Sequence, residues 1–96
     1  NRGRNMSIDD VFEYANEHEI DIMYLNNPSY ENSIIGISYD DRIIYDMKLM
    51  IKEIMEKDNI TETEAIEFIE YNTLRALSYY ENAPIILYTR GNENEI

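Results

Sequence analysis

The chain has 96 residues, and its 20 Asp and Glu against eight Lys and Arg give a formal net charge of −12. So acidic a body repels nucleic acid and anionic membrane and is drawn to basic surfaces, which disfavours direct nucleic-acid binding. Its length suits one domain with one core, its 44% apolar share is that of a globular chain, and no apolar run approaches the roughly 18 residues of a membrane span.

Ser7 fits an N-cap, since its hydroxyl can accept from a free amide of the first helical turn. Asp9 and Asp10 suit the positive end of that helix dipole. Ile8, Val11, Phe12 and Ala15 follow at helical spacing and predict a helix over 8–18. Ile20, Ile22 and Tyr24 then alternate with Asp21, Met23 and Leu25, which predicts a strand buried on both faces. Asn26-Asn27-Pro28-Ser29 signals a turn. Residues 33–39 read as a second strand carrying Ile34, Ile35 and Ile37, with Gly36 marking a bulge or a close backbone approach. Asp40-Asp41 is expected to turn tightly into a third strand over 42–45, completing a β-hairpin.

Asp46 can cap a second helix. Met47, Met50, Ile51, Ile54 and Met55 supply its apolar stripe, and Asp58-Asn59 ends it. Thr61 and Glu64 have the spacing of a capping box. The helix they begin carries Ala65, Ile66, Ile69, Thr73, Ala76 and Leu77 on one face. It is expected to end near Tyr79 or Tyr80, because Asn82-Ala83-Pro84 cannot continue it. Residues 85–88 form a last short strand able to join the sheet edge. The order is α-β-β-β-α-α-β: an α+β domain over 6–90, with a small, mostly antiparallel sheet of three or four strands packed by three helices. Residues 1–5 and 91–96 are expected to be flexible termini.

Catalytic chemistry finds little support. There are no cysteines, so disulfides, thiolate metal sites and thiol nucleophiles are excluded, in keeping with a cytoplasmic protein. The one histidine, His18, lies between Glu17 and Glu19, which point in different directions on a helix and cannot share an ion with it. No metal or other cofactor is expected. No serine sits in a Gly-x-Ser-x-Gly elbow, and the three glycines are isolated. Paired carboxylates could do acid–base work, but so many acids make a close pair ordinary, and a chain this short offers little cleft to desolvate one. The chain is expected not to be an enzyme.

Binding is better supplied. Nine tyrosines stand beside two phenylalanines and no tryptophan. Tyrosine serves recognition surfaces and also cores where its hydroxyl reaches water, and both readings stay open. Tyr30, Tyr79 and Tyr80 lie beside turns and are expected to be exposed. Met47, Met50 and Met55 suit core packing better than an adaptable binding face. From Glu53 to Glu70 there are seven acids, Glu53, Glu56, Asp58, Glu62, Glu64, Glu67 and Glu70, against the single base Lys57. Such a stretch can project a continuous negative field that imitates a phosphate backbone, or can simply solvate a helix pair. Arg75 fits an internal ion pair or, as the alternative, an interface anchor.

The run Glu-Ala-Ile-Glu-Phe-Ile-Glu-Tyr-Asn-Thr-Leu-Arg-Ala-Leu over 64–77, followed by Tyr79-Tyr80 and Ala83-Pro84-Ile85-Ile86, resembles a group of short acidic proteins encoded by phages, prophages and other mobile elements of low-GC bacteria. Pro28-Ser29-Tyr30, Ile34-Ile35-Gly36-Ile37 and Asp41-Arg42-Ile43-Ile44-Tyr45-Asp46 extend the likeness to about 20–88. The group usually carries Asp-Gly at the hairpin turn, where this chain has Asp40-Asp41. The resemblance implies a genomic setting in which small acidic proteins block host defence, inhibitors of CRISPR-associated effectors among them. The expected function is then inhibition: Glu53, Glu56, Asp58, Glu62, Glu67, Glu70, Tyr79 and Tyr80 would bind a host protein with a basic nucleic-acid-binding surface. The alternative is an oligomeric accessory or scaffold protein that self-associates through Tyr and Ile surfaces.

Overall fold

The computed structural model describes residues 6–89; the expected flexible termini, 1–5 and 91–96, lie outside the described residues, as does Arg90. Helix α1 (Ile8–His18) begins at the expected cap. The Ser7 hydroxyl accepts from the Asp10 amide at 3.0 Å, and the Asp10 carboxylate accepts from the Ser7 amide at 3.2 Å. Two amides at the helix N-terminus that would otherwise lack partners are thus hydrogen-bonded. Glu19, in the left-handed conformation, ends the helix.

Residues 20–25 are extended but belong to no ladder, which corrects the expected strand. Only Leu25 is fully buried there, while Asp21 and Tyr24 face solvent. Alternation reports where side chains go, not whether the backbone finds a partner. The Leu25 amide donates to the Tyr45 hydroxyl at 2.9 Å, so a side chain takes the place of a neighbouring strand.

A 3₁₀ turn (Glu31–Ser33) leads into β1 (Ile34–Ile37), which pairs antiparallel with β2 (Ile43–Asp46). The register shifts between Ile34 and Gly36, placing the expected bulge at Ile35. The hairpin loop is not the tight Asp40-Asp41 turn. It is a three-residue loop, Tyr39 to Asp41, closed by the Ser38 amide on the Arg42 carbonyl at 2.7 Å, with Asp41 in the left-handed region at φ 66°. A two-residue turn of the favoured type needs two left-handed residues in succession. The longer loop needs one, which aspartate tolerates.

Helix α2 (Met47–Asp58) follows β2 directly, capped by Asp46 through the Lys48 amide at 3.1 Å. The third helix opens with the expected Thr61–Glu64 capping box. It runs as α3 (Glu62–Ile69), a π-helical segment (Glu70–Leu74) and a last α-helical turn, α4 (Arg75–Leu77). Strand β3 (Ile85–Leu87) pairs parallel with β2, giving a three-stranded sheet in the order β1-β2-β3. The fold is α+β as expected, with one antiparallel and one parallel pairing.

The core lies between the sheet and the helices. Ile34, Ile43 and Tyr45 meet Met50 and Ile54 of α2, Ala65 and Ile69 of α3, and Val11 of α1. Met47 and Met50 are buried here, and Met55 is half-buried. On the third helix the inward row is Ala65, Ile69, Thr73 and Leu77, a steady spacing of four. An α-helix would rotate such a row out of the core. The wider π turn absorbs the drift, which is why Ala76, expected on this face, is exposed.

Burial pushes the Tyr45 phenol up to about 12 from its ordinary 10.0. As pH rises the unfolded chain therefore loses this proton first. The stability Tyr45 contributes is complete below about pH 10 and is lost on the way to about pH 12. Tyr45→Phe leaves the Leu25 amide without its acceptor and is expected to cost about 1–2 kcal/mol in urea unfolding at neutral pH. The same variant should lose less stability than the wild type when the titration is repeated near pH ~11. Equal slopes in the two proteins would contradict the assignment.

Candidate functional site

The acids from Glu53 to Glu70 do not share one face. Successive helix residues turn by about 100°, and two helices that pack on each other present different sides. Glu53 and Glu56 of α2 line a cleft of about 400 Å³ against the 28–32 loop, together with Lys57. Asp58 ends α2 in solvent. Glu62, at the start of α3, borders a separate hollow with Lys48, Lys52 and Tyr88. Glu64 is turned back into its capping box. Glu67 and Glu70 meet Tyr71 and Arg75 around an open hollow of about 590 Å³. Each of these three concavities carries a base among its acids.

Glu53 has a structural task. Its Oε1 accepts from the Ser33 hydroxyl at 2.8 Å and its Oε2 from the Asn32 amide at 3.3 Å. It is half-buried and ties α2 to the 3₁₀ turn that launches β1. Ser33 is fully buried, so its hydroxyl needs this partner.

The tyrosines separate into two groups. Tyr79 and Tyr80, just past α4, are 84% and 53% exposed, as their position beside a turn suggested. Tyr30 is the correction: it is 2% exposed, although its neighbours include a turn. Its left-handed backbone folds the ring inward, and burial raises its pKa. Thr73 lies close enough to act in the opposite direction without reaching hydrogen-bond geometry, so the Tyr30 hydroxyl is unpaired among the described residues.

Tyr71 was not singled out from the sequence, yet it is 68% exposed on the π segment. The guanidinium of Arg75 sits 4.7 Å from its ring centroid. The interaction found for Arg75 is therefore with a ring and not the expected ion pair. The spacing of four residues between Tyr71 and Arg75 was the available signal, because such residues are neighbours on a helix surface.

A smaller polar group joins α1 to the hairpin loop. The Tyr14 hydroxyl donates to the Asp41 carboxylate at 2.7 Å, which raises the phenol's pKa, and the His18 ring lies 4.2 Å from the Tyr14 ring. In the hairpin loop, the Ser38 hydroxyl and then Arg42 hold the Asp40 carboxyl below its usual range. Among the described residues no group of three or more His, Asp or Glu is placed to hold a metal ion, and no helix is long and apolar enough to cross a membrane. Comparison with protein-family models, curated proteins and solved structures finds no match to this chain.

These placements separate acids that hold the fold from acids free to meet a partner. Glu53→Ala is expected to cost about 1–2 kcal/mol in chemical denaturation, from two lost hydrogen bonds to a charged acceptor. Glu56→Ala and Glu67→Ala should stay within about 0.5 kcal/mol of wild type. A Glu53 variant as stable as these would refute the structural role.

Proposed function

We propose that the chain is a non-catalytic inhibitor that binds a basic nucleic-acid-binding surface of another protein. The observation that carries this reading is the exposure of Tyr71, Tyr79 and Tyr80 on the same stretch of chain as Glu67 and Glu70. Tyrosine gives a large contact area with little side-chain entropy to lose, and acids around it select a basic partner. The net charge of −12 adds long-range attraction, which speeds encounter with such a partner and weakens with salt. Glu56 and Asp58 add negative charge on α2, on a separate part of the surface. Glu62 borders a hollow that also holds two lysines and contributes less.

The resemblance to short acidic proteins of phages and mobile elements supports a host defence protein as the target, a CRISPR-associated effector in the bacterial cytoplasm first among them. Self-association is the second reading. It is favoured by β3, whose outer edge pairs with no strand among the described residues.

The test is capture from host lysate at low and high salt, followed by a nucleic-acid-binding assay on the captured protein. The expected result is one nucleic-acid-binding partner, released by salt, whose binding to its nucleic acid is blocked by the wild-type chain. Block should fail with the combined Glu56→Lys, Glu67→Lys and Glu70→Lys variant. A variant as potent as wild type would sink the charge-driven mechanism. Recovery of the chain alone, in a defined multiple by sedimentation, would replace it with self-association.

A further inference from the structure

We propose that Tyr71, with Glu67 and Glu70, forms a seat for an arginine side chain of the basic partner; this rests on the binding function proposed above. The argument begins with Arg75. Its guanidinium lies over one face of the Tyr71 ring at 4.7 Å from the centroid, within the range at which the ring quadrupole attracts a cation. A tyrosine ring has two equivalent faces. With one covered by Arg75 and the residue still 68% exposed, the other face is open to solvent.

Tyr71 lines, together with Glu67, Glu70 and Arg75, a hollow of about 590 Å³. The hollow has room for a side chain much larger than a water molecule. Glu67 and Glu70 are both exposed, and no hydrogen bond or ion pair within the described residues fixes either carboxylate side chain. A planar guanidinium can stack on the ring and still present its edge to a carboxylate, making paired hydrogen bonds. An ammonium is a compact, strongly hydrated charge. It can pair with the carboxylates but gains less from the ring. The seat is therefore selective for arginine over lysine, and this selectivity goes beyond an acidic surface attracting any base. Charge favours the same occupant: two carboxylates beside one resident cation leave the hollow net negative.

The probes are poly-arginine and poly-lysine peptides of equal length, titrated into the whole chain. Binding would be followed by backbone amide shifts in nuclear magnetic resonance. Wild type should bind the arginine peptide more tightly than the lysine peptide, with the largest shifts at 67–75. Tyr71→Leu should lower that preference by about two- to fivefold, the contribution of one exposed cation–π contact. Tyr71→Phe should keep it, because the ring and not the hydroxyl stacks. Tyr39→Leu, at an exposed tyrosine outside this surface, should keep it as well. Salt-sensitive binding of both peptides with no arginine preference, or a preference untouched by Tyr71→Leu, would overturn the arginine seat and leave charge-driven binding standing. Failure of both peptides to bind at low salt would overturn the seat together with the function on which it rests.

Discussion

A buried carboxylate at the end of the central strand organises this molecule. Asp46 is almost fully buried, and a charge in that position must be matched by donors or it would unfold its surroundings. Its Oδ1 accepts from the Lys48 amide, and its Oδ2 accepts from the Thr89 hydroxyl at 3.0 Å. It also sits at the positive end of the α2 dipole. One side chain thereby ends β2, starts α2 and holds the chain just past β3. The β2–α2–α3–β3 unit closes on it, and the parallel pairing of β2 with β3 brings Thr89 within its reach. Tyr45, the preceding residue, points to the other side of the strand. It fills the core and anchors the 20–25 segment at the Leu25 amide.

The third helix solves a packing problem that the core sets for it. Its inward residues are spaced by four, and a regular α-helix cannot keep such a row facing one way over about three turns. The π segment, Glu70–Leu74, corrects the phase. The same adjustment decides what the outer side presents. Tyr71 and Arg75 stand together in solvent, with Glu67 and Glu70 beside them, while Thr73 faces the buried Tyr30. Core packing and surface chemistry are thus two consequences of one change in helical pitch.

The division of labour among the acids follows from hydrogen-bond need. Asp10, Asp46 and Glu64 complete helix caps, and Glu53 satisfies a buried serine. These carboxylates have internal work. Glu56, Asp58, Glu67 and Glu70 have no such task among the described residues, and they lie where a partner could reach them. A count of acids along the chain cannot make this distinction, because both kinds occur in the same run of sequence.

The sequence by itself determined the α+β class, all three helix starts and the stripe of α2, and it marked Gly36 as a bulge or a close backbone approach. Each of these depends on neighbours within a few residues: a cap on the amides it faces, a helix on its own 3.6-residue period. Exposure of Tyr79 and Tyr80 was legible for the same reason, since a proline nearby stops the helix and leaves them outside. Only the tertiary structure decided that 20–25 hydrogen-bonds to a tyrosine and not to a strand, that Tyr30 turns inward, and that Glu53 serves the fold. It also decided that Tyr71 and Arg75 meet Glu67 and Glu70 at one hollow. The first three depend on residues 20 or more positions apart, and the last on a π turn imposed by the core. Local periodicity carries no information about either.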